Sequence, residues 1–325
     1  MVAVATVWHT QLTWFVLAIC LVSFAPKQAN ALVPATPAEY DCQTLLETAS
    51  KDGDQYDWRD LVFVEHCDRI KRLWRLTSEQ GLGATPQFWH GDVEARRLPK
   101  EFGSNMPILR VVFPERVFFE TDRADLREEA LRVVEIVAES MRKEMPDVAL
   151  FVAGHADSRG SKTHNYNLSV RRANAIAEAI MDRGINNASV WRVGFGKDLP
   201  LVAGESEESW ALNRRVEFLF APKPIVAATH LASSVDNACS ASSEAETRKC
   251  LKNADPKPRV VVEIPKSKNR ETVTPSSDGK VEVTPSTTHI ESDPQAPSRM
   301  VVDPVGTRKI LIDPINRKAT TVAGI

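Results

Sequence analysis

The stretch GHADSRGSKTHNYNLSVRRA, residues Gly154–Ala173, carries the strongest structural signal in this chain of 325 residues. It follows a continuous apolar run, Val148–Ala153, which is typical of a strand that is covered on one or both faces. After it, Leu168, Arg172 and Ile176 recur every four residues, which predicts a helix whose largely apolar face turns toward the sheet. The stretch therefore predicts a strand, a loop and a helix in succession.

Two opposite charges flank this strand–helix junction. Asp157 comes just past the strand, and Arg172 lies about one turn into the helix, for which Asn165 or Asn167 is a suitable N-cap. An arginine on that helix face needs acceptors, because an unpaired buried charge is costly, and Asp157 is the natural first partner. One interpretation is a buried ion pair that pins the loop to the helix. The other is a site for a zwitterion, since a guanidinium binds a carboxylate in a two-bond fork and a carboxylate binds an ammonium.

Residues 108–221 form the best-patterned part of the chain. Apolar runs predict strands at Ile108–Phe113, Val117–Phe119, Val148–Ala153, Val190–Gly194 and Val216–Phe220. Helix spacing predicts helices over residues 126–141 and 168–180, the second ending at Gly184, and the polar residues 197–213 predict a surface loop. This order predicts an α/β sandwich with a βαβαββ core, in which a mixed sheet carries helices on one face.

The same residues resemble a known family. The matching positions are Gly154-His155-Ala156-Asp157, Gly160, Asn165, Leu168-Ser169 and Arg172-Ala173, followed by Val193-Gly194-Phe195-Gly196, Pro200 and Asn213-Arg214-Arg215-Val216-Glu217. Upstream, Phe119–Leu126 is similar to the family's entry into its first helix. Over about 108–221 the chain thus resembles the C-terminal peptidoglycan-binding domain of outer membrane protein A and its relatives.

The resemblance implies a ligand, the diaminopimelate-containing stem peptide of peptidoglycan, whose far end is an amino-acid zwitterion. It implies that Asp157 and Arg172 are the principal binding pair. It further implies that Asn165, Thr121 and Asp122 line the same pocket, that Leu168 and Ser169 shape the helix start, and that Arg215 is structural. Two residues depart from the family pattern: Ala156 replaces a threonine, which removes a hydroxyl, and Arg123 stands where a small serine is usual.

The first residues predict an export signal over residues 1–31. Leu12–Phe24 is mostly apolar, and Ala29-Asn30-Ala31 supplies the small-x-small pattern of a cleavage site. The run is short for a membrane span, which needs about 20 apolar residues. An uncleaved anchor is the alternative, and lipidation at Cys20 is a lesser one because bulky Ile19 precedes it.

Removal of residues 1–31 would leave four cysteines, an even number that predicts disulfides in an exported protein. Their spacing predicts the pairs Cys42–Cys67 and Cys239–Cys250, and four free thiols are the alternative. Residues 32–107 then form a small, disulfide-stapled, mostly helical accessory region with a turn-rich end. Residues 222–325 are rich in Pro, Ser and Thr, which predicts a largely disordered or extended tail.

Together these features predict a non-catalytic protein of the periplasm or outer membrane that tethers an envelope assembly to peptidoglycan. Its envelope partner would contact residues 32–107 or the tail. A net charge of −2 gives no electrostatic footprint for nucleic acid, and the scattered histidines, His155 included, predict no metal site and no cofactor. One alternative is a stator-like or secretion-system component with an uncleaved N-terminal helix. Another is a peptidoglycan hydrolase, which the absence of a recognisable pair of catalytic carboxylates in the sequence disfavours.

Overall fold

A computed structural model describes residues 33–35, 41–52, 55–79, 82, 86–185, 188–265, 271–275, 281–285 and 308–322. The predicted signal segment 1–31 lies outside these residues. Among the helices that are described, none combines the length and the apolar character needed to cross a membrane.

Helices and strands alternate along most of the described chain. The α-helices are α1 (Cys42–Thr48), α2 (Trp58–Glu79), α3 (Glu128–Met141), α4 (Lys162–Met181), α5 (Glu207–Asn213), α6 (Pro224–Ser233) and α7 (Glu244–Ala254). The strands are β1 (Val33–Pro34), β2 (Lys51–Asp52), β3 (Gln55–Tyr56), β4 (Gln87–Val93), β5 (Met106–Pro114), β6 (Ala149–His155), β7 (Ser189–Gly196), β8 (Arg215–Ala221), β9 (Arg259–Ile264), β10 (Glu271–Pro275), β11 (Val281–Pro285), β12 (Lys309–Asp313) and β13 (Lys318–Val322).

Nine of these strands form one mixed sheet in the order β1-β4-β5-β8-β6-β7-β9-β12-β13. Only β6 and β7 pair in parallel within it, and the α4 crossover joins them. Strand β8 lies between β5 and β6, so the last strand of the motif region is placed next to the first. The carboxyl end of β6, the start of α4 and the start of β8 therefore meet at the same end of the central strands.

Both faces of the sheet are covered. Leu150 and Val152 of β6 point into a core that α2, α3 and α4 complete. Phe151 points the other way and stacks on Trp191, with ring centroids 5.4 Å apart, in a second core that contains α6. The predicted mixed α/β fold is confirmed, and α3 and α4 share one face as expected, while α6 covers the opposite face.

The prediction of a largely disordered tail is wrong for residues 222–265 and 308–322. Helix α6 begins with Pro224 at its first turn, and five of its buried residues belong to the second core. Strands β9, β12 and β13 extend the sheet beyond β7. The average composition of the tail concealed these segments, because Pro- and Ser-rich stretches such as residues 286–307 dominate it, whereas α6 is short and apolar. Residues 286–307 lie outside the described residues.

Residues 32–107 contribute to the same sheet and are less helical than predicted. The expected bonds Cys42–Cys67, which ties α1 to α2, and Cys239–Cys250 are both confirmed. Strand β4, in the stretch expected to be turn-rich, pairs with β5 over its full length. Its buried Phe88 and Val93 lie at either end of a segment interrupted by Gly91, which obscured the strand pattern.

Two shorter predictions also differ from the structure. Residues Glu115–Val117 form a 3-10 turn rather than the start of a second strand, because Pro114 ends β5. Helix α5 lies within the predicted loop 197–213, where Ser206 caps it by accepting a hydrogen bond from the Ser209 N–H.

Candidate functional site

The loop after β6 and the first turns of α4 form the candidate site. Helix α4 begins at Lys162, with Ser161 as its N-cap accepting a 3.1 Å hydrogen bond from the His164 N–H. The prediction that Asn165 or Asn167 caps this helix is wrong, since the helix starts one turn earlier. Gly160, with φ +73°, provides the left-handed turn that leads into Ser161.

Asp157 is buried and accepts hydrogen bonds from two arginines. Its Oδ2 accepts from Arg159 Nη2 at 2.6 Å and from Arg214 Nη1 at 2.8 Å, and its Oδ1 accepts from the Arg159 backbone N–H at 2.9 Å. Burial opposes ionisation of Asp157, but the hydrogen bonds from Arg159 and Arg214 outweigh it and keep the pKa of this carboxyl below its usual value. Asp157 is therefore an anion at neutral pH.

Arg172 is also buried, but its partner is not Asp157. Its Nη2 lies 2.7 Å from Glu115 Oε1, and its Nε donates to the Arg123 carbonyl at 2.7 Å. The guanidinium also lies over the Phe119 ring, 5.1 Å from its centroid. The interpretation of Asp157 and Arg172 as a direct ion pair, one of the two that the sequence left open, is thus wrong, and each charge has its own protein partner at the same junction.

Asn165 and Ser169 fasten α4 to the surrounding loops. Asn165 Nδ2 donates to the carbonyls of Asp157, at 3.3 Å, and Arg159, at 2.5 Å, and so fixes the turn that carries the site carboxylate. Ser169 Oγ donates to the Tyr166 carbonyl and accepts from the Gly196 N–H at 2.9 Å. Both side chains are buried and engaged by the protein itself.

Close packing explains two glycines of the motif. A Cβ on Gly154 would lie 2.5 Å from the Ser169 carbonyl oxygen, and one on Gly194 would lie 2.5 Å from Ser169 Oγ. These glycines let α4 approach β6 and β7 closely, and Leu168, just before Ser169 in α4, is buried as well. Of the predicted site residues, Ser169 thus lies in the packing between α4 and the sheet, and Leu168 is buried.

Thr121 and Asp122 lie in an exposed turn across from the start of α4. Asp122 has φ +60° and its Oδ1 lies 2.7 Å from His164 Nε2, so the turn is tied to the first turn of the helix. The exposed Arg123 side chain pairs with Asp125 at 2.7 Å. The structure therefore brings the predicted residues to one junction but places them in different roles.

Three charged residues of this junction, Glu115, Arg159 and Arg214, were not predicted as site residues. We call Glu115, Asp157, Arg159, Arg172 and Arg214 the site cluster. The motif Asn213-Arg214-Arg215 contains a signal for Arg214, because adjacent residues at a strand start point in opposite directions. Arg215 turns inward to Glu217 at 2.6 Å, consistent with its predicted structural role, while Arg214 reaches Asp157. No motif signalled Glu115.

The edge of the site is formed by α5 and its neighbours. Arg214 Nη2 donates to Glu207 at 2.7 Å, and the Arg159 guanidinium lies over the Trp210 ring, 4.4 Å from its centroid. Trp210 Nε1 donates to Ser158 Oγ at 3.1 Å. The loop predicted to be merely polar and exposed thus supplies part of the wall beside Asp157.

His155, next to the motif carboxylate, is a core residue. It stacks on Phe195 with ring centroids 5.2 Å apart, and burial lowers its pKa well below the usual value. Among the described residues, no group of three or more His, Cys, Asp or Glu side chains is arranged to bind a metal ion.

Comparisons with known proteins match the same part of the chain. The profile of the OmpA family matches residues 118–214. The peptidoglycan-associated lipoprotein of Pseudomonas aeruginosa is 38% identical over 100 residues, which are 31% of this chain and 58% of that protein. Outer membrane protein A of Bordetella avium is 32% identical over 126 residues, which are 38% of this chain and 63% of that protein.

A comparison with solved structures also finds similar chains. The crystal structure of the peptidoglycan-associated lipoprotein from Burkholderia pseudomallei is 26% identical, with a TM-score of 0.29 over 32% of this chain and 87% of that one. The chain spans 58% to 63% of the length of the two curated relatives, so the shared part is a domain. Residues 118–214 of this chain are an OmpA family domain.

Proposed function

We propose that this domain binds peptidoglycan without catalysing a reaction and so tethers an envelope protein or assembly to the cell wall. The observation that carries the proposal is the pair of buried opposite charges, Asp157 and Arg172, at one strand–helix junction with separate protein partners. The relatives from Pseudomonas and Burkholderia are named peptidoglycan-associated lipoproteins, which supports the proposal of peptidoglycan binding.

We infer that the ligand group is the zwitterionic head of diaminopimelate in the stem peptide. Asp157 Oδ1 accepts one protein hydrogen bond, from the Arg159 N–H, and a carboxylate oxygen has a second lone pair that an ammonium can use. Protein acceptors engage Nε and Nη2 of Arg172, so we expect the ligand carboxylate to approach Nη1. Asn165, Thr121 and Asp122 would shape the pocket around this head.

The corresponding location is the periplasm or the inner side of the outer membrane. The relatives are envelope proteins by name, among them outer membrane porin F of Pseudomonas aeruginosa, 34% identical over 102 residues. An envelope partner would bind through residues 32–107 or the part after 221, both of which add strands to the sheet.

Co-sedimentation with purified peptidoglycan tests the proposal. We expect Asp157→Ala and Arg172→Ala each to abolish pelleting while circular dichroism shows an intact fold. Arg171→Ala is the matched control, because it removes the same charge from the exposed neighbouring position. Binding by both site variants would refute the ligand assignment, and unfolding of both would show that the two charges serve stability.

A second comparison tests the diaminopimelate assignment alone. Peptidoglycan whose stem peptide carries lysine keeps the terminal amine but lacks the adjacent carboxylate. We expect the wild-type protein to pellet with diaminopimelate-type wall and to bind lysine-type wall at least about tenfold more weakly, since the charge-assisted bond to Arg172 is lost. Equal binding to both walls would refute the zwitterion model.

A further inference from the structure

Glu115 contacts one of the two charges of the proposed site, Arg172. It directly follows Pro114 at the end of β5, and its backbone N–H donates to the Arg214 carbonyl at 3.0 Å. The Arg214 side chain reaches Asp157, whereas the Glu115 side chain reaches Arg172 at 2.7 Å. The ladder between β5 and β8 therefore places this carboxylate in contact with Arg172 and next to Arg214, the residue that binds Asp157.

One oxygen of Glu115 is unused. Oε1 binds Arg172, but Oε2 is buried and accepts no hydrogen bond from any described residue. The Glu115 side chain is only 9% exposed, and an unsatisfied buried carboxylate oxygen is costly. Burial raises the pKa of Glu115, as expected for a carboxyl that lacks a full set of donors. Such an oxygen is suited to accept from a donor that arrives with a ligand.

The charge of Glu115 also limits what Arg172 can bind. With Glu115 in contact, the guanidinium is already neutralised, so an incoming carboxylate meets a like charge as well as a cation. A zwitterion avoids this conflict because its ammonium adds a positive charge next to Glu115 and Asp157. A simple carboxylic acid brings no such compensation.

We propose that Glu115 is a specificity-determining residue: its free oxygen accepts a hydrogen bond from the ligand ammonium, and its charge disfavours carboxylates that lack one. This inference rests on the proposed binding of diaminopimelate at Asp157 and Arg172. It adds a second acceptor to that site and explains why a buried carboxylate lies against the cation that must bind the ligand.

Calorimetric titration of the full chain with two free probes tests the inference. The probes are meso-diaminopimelate and pimelate, which is the same dicarboxylic acid without its amino groups. We expect the wild type to prefer diaminopimelate, so that the dissociation constant for pimelate is the larger of the two. Glu115→Gln should reduce the ratio of the pimelate constant to the diaminopimelate constant at least about tenfold, the usual effect of one charge-assisted hydrogen bond. Glu128→Gln, at an exposed position in the first turn of α3, should leave the ratio unchanged.

A folded Glu115→Gln protein with the wild-type ratio would overturn the inference while leaving peptidoglycan binding intact. Failure of the wild type to bind either diaminopimelate or peptidoglycan would overturn the proposed function as well. A measurement on the wild type avoids any folding defect of the variant: the carboxyl carbon resonance of Glu115 should shift with diaminopimelate and not with pimelate. An unchanged resonance under saturating diaminopimelate would also refute the inference.

Discussion

Among the described residues, two of the buried clusters of arginine and carboxylate groups differ in how completely their polar atoms are satisfied. We call Glu65, Arg69, Arg72 and Glu144 the helix-packing cluster, which joins α2 to the end of α3. There Arg69 donates two hydrogen bonds to the Glu144 carboxylate, of 2.8 and 2.6 Å, and Arg72 donates a third of 2.8 Å. In the site cluster, by contrast, Glu115 uses one oxygen and leaves the other without a donor among the described residues.

The difference indicates what each cluster is for. A satisfied network fixes the packing of its elements, whereas a partly satisfied one is tolerated where another molecule completes it. Arg69 and Glu144 are almost wholly enclosed, at 2% and 0% side-chain exposure. Substitutions in the helix-packing cluster should therefore cost stability, and those in the site cluster should mainly cost binding.

The largest effect is expected for Glu144→Ala. It would leave the Arg69 guanidinium buried without its main partner, and breaking a buried pair in this way typically costs about 3–5 kcal/mol. Urea unfolding measures the loss, and the protein that remains folded should still pellet with peptidoglycan. A loss below about 1 kcal/mol would mean that water reaches Arg69 and that the cluster is not structural.

Arginine-to-lysine exchange in both clusters sharpens the contrast. Arg172→Lys keeps the charge but loses the planar fork, so we expect peptidoglycan affinity to fall about 30-fold or more. Arg69→Lys should instead lower the free energy of unfolding and leave the affinity within about twofold. Affinity loss in Arg69→Lys equal to that in Arg172→Lys would show that the two clusters do not act separately.

The pH dependence of stability provides the next test. Burial, followed by the nearby Glu144, raises the pKa of Glu65 from 4.5 to about 7. The folded protein thus binds this proton more tightly than the unfolded chain does. The resulting stabilisation is complete below the unfolded pKa and is lost as the pH rises through about 7.

Between about pH 5 and about pH 8, we therefore expect the wild type to lose about 1 kcal/mol more unfolding free energy than Glu65→Gln, after allowance for solvent screening. Urea titrations at both pH values measure this difference. Comparing the two proteins cancels the opposite contribution of buried His155, whose lowered pKa favours the folded state as the pH rises. Parallel pH profiles would assign the proton to another group.

Sequence patterns predicted the parts of this fold that depend on local order. The continuous apolar run of β6, the spacing of Leu168, Arg172 and Ile176, and the spacing of the cysteines each specify a neighbour close in sequence or a buried face. The motif also predicted Asp157 and Arg172 as buried charges of one junction.

The partners of these charges could not be predicted in the same way. Glu115 reaches Arg172 from the end of β5, a separation of 57 residues, and only the pairing of β5 with β8 brings it there. Likewise, β9 and β12 are short apolar runs in a polar tail, and they are ordered because β9 pairs with the edge of β7 and β12 pairs in turn with β9. Such contacts arise from tertiary pairing, which composition and periodicity do not encode.

The smallest effect is expected at Arg123, where the chain departs from the family's serine. Its carbonyl accepts from Arg172, but its side chain is 65% exposed and pairs with Asp125 two residues away. Exposed ion pairs contribute little, so Arg123→Ser should change the unfolding free energy by less than about 0.5 kcal/mol and the peptidoglycan affinity by less than about twofold. Thermal unfolding and co-sedimentation measure both quantities. A larger gain in affinity would mean that the arginine crowds the ligand after all, and that the boundary of the site cluster extends into the exposed turn.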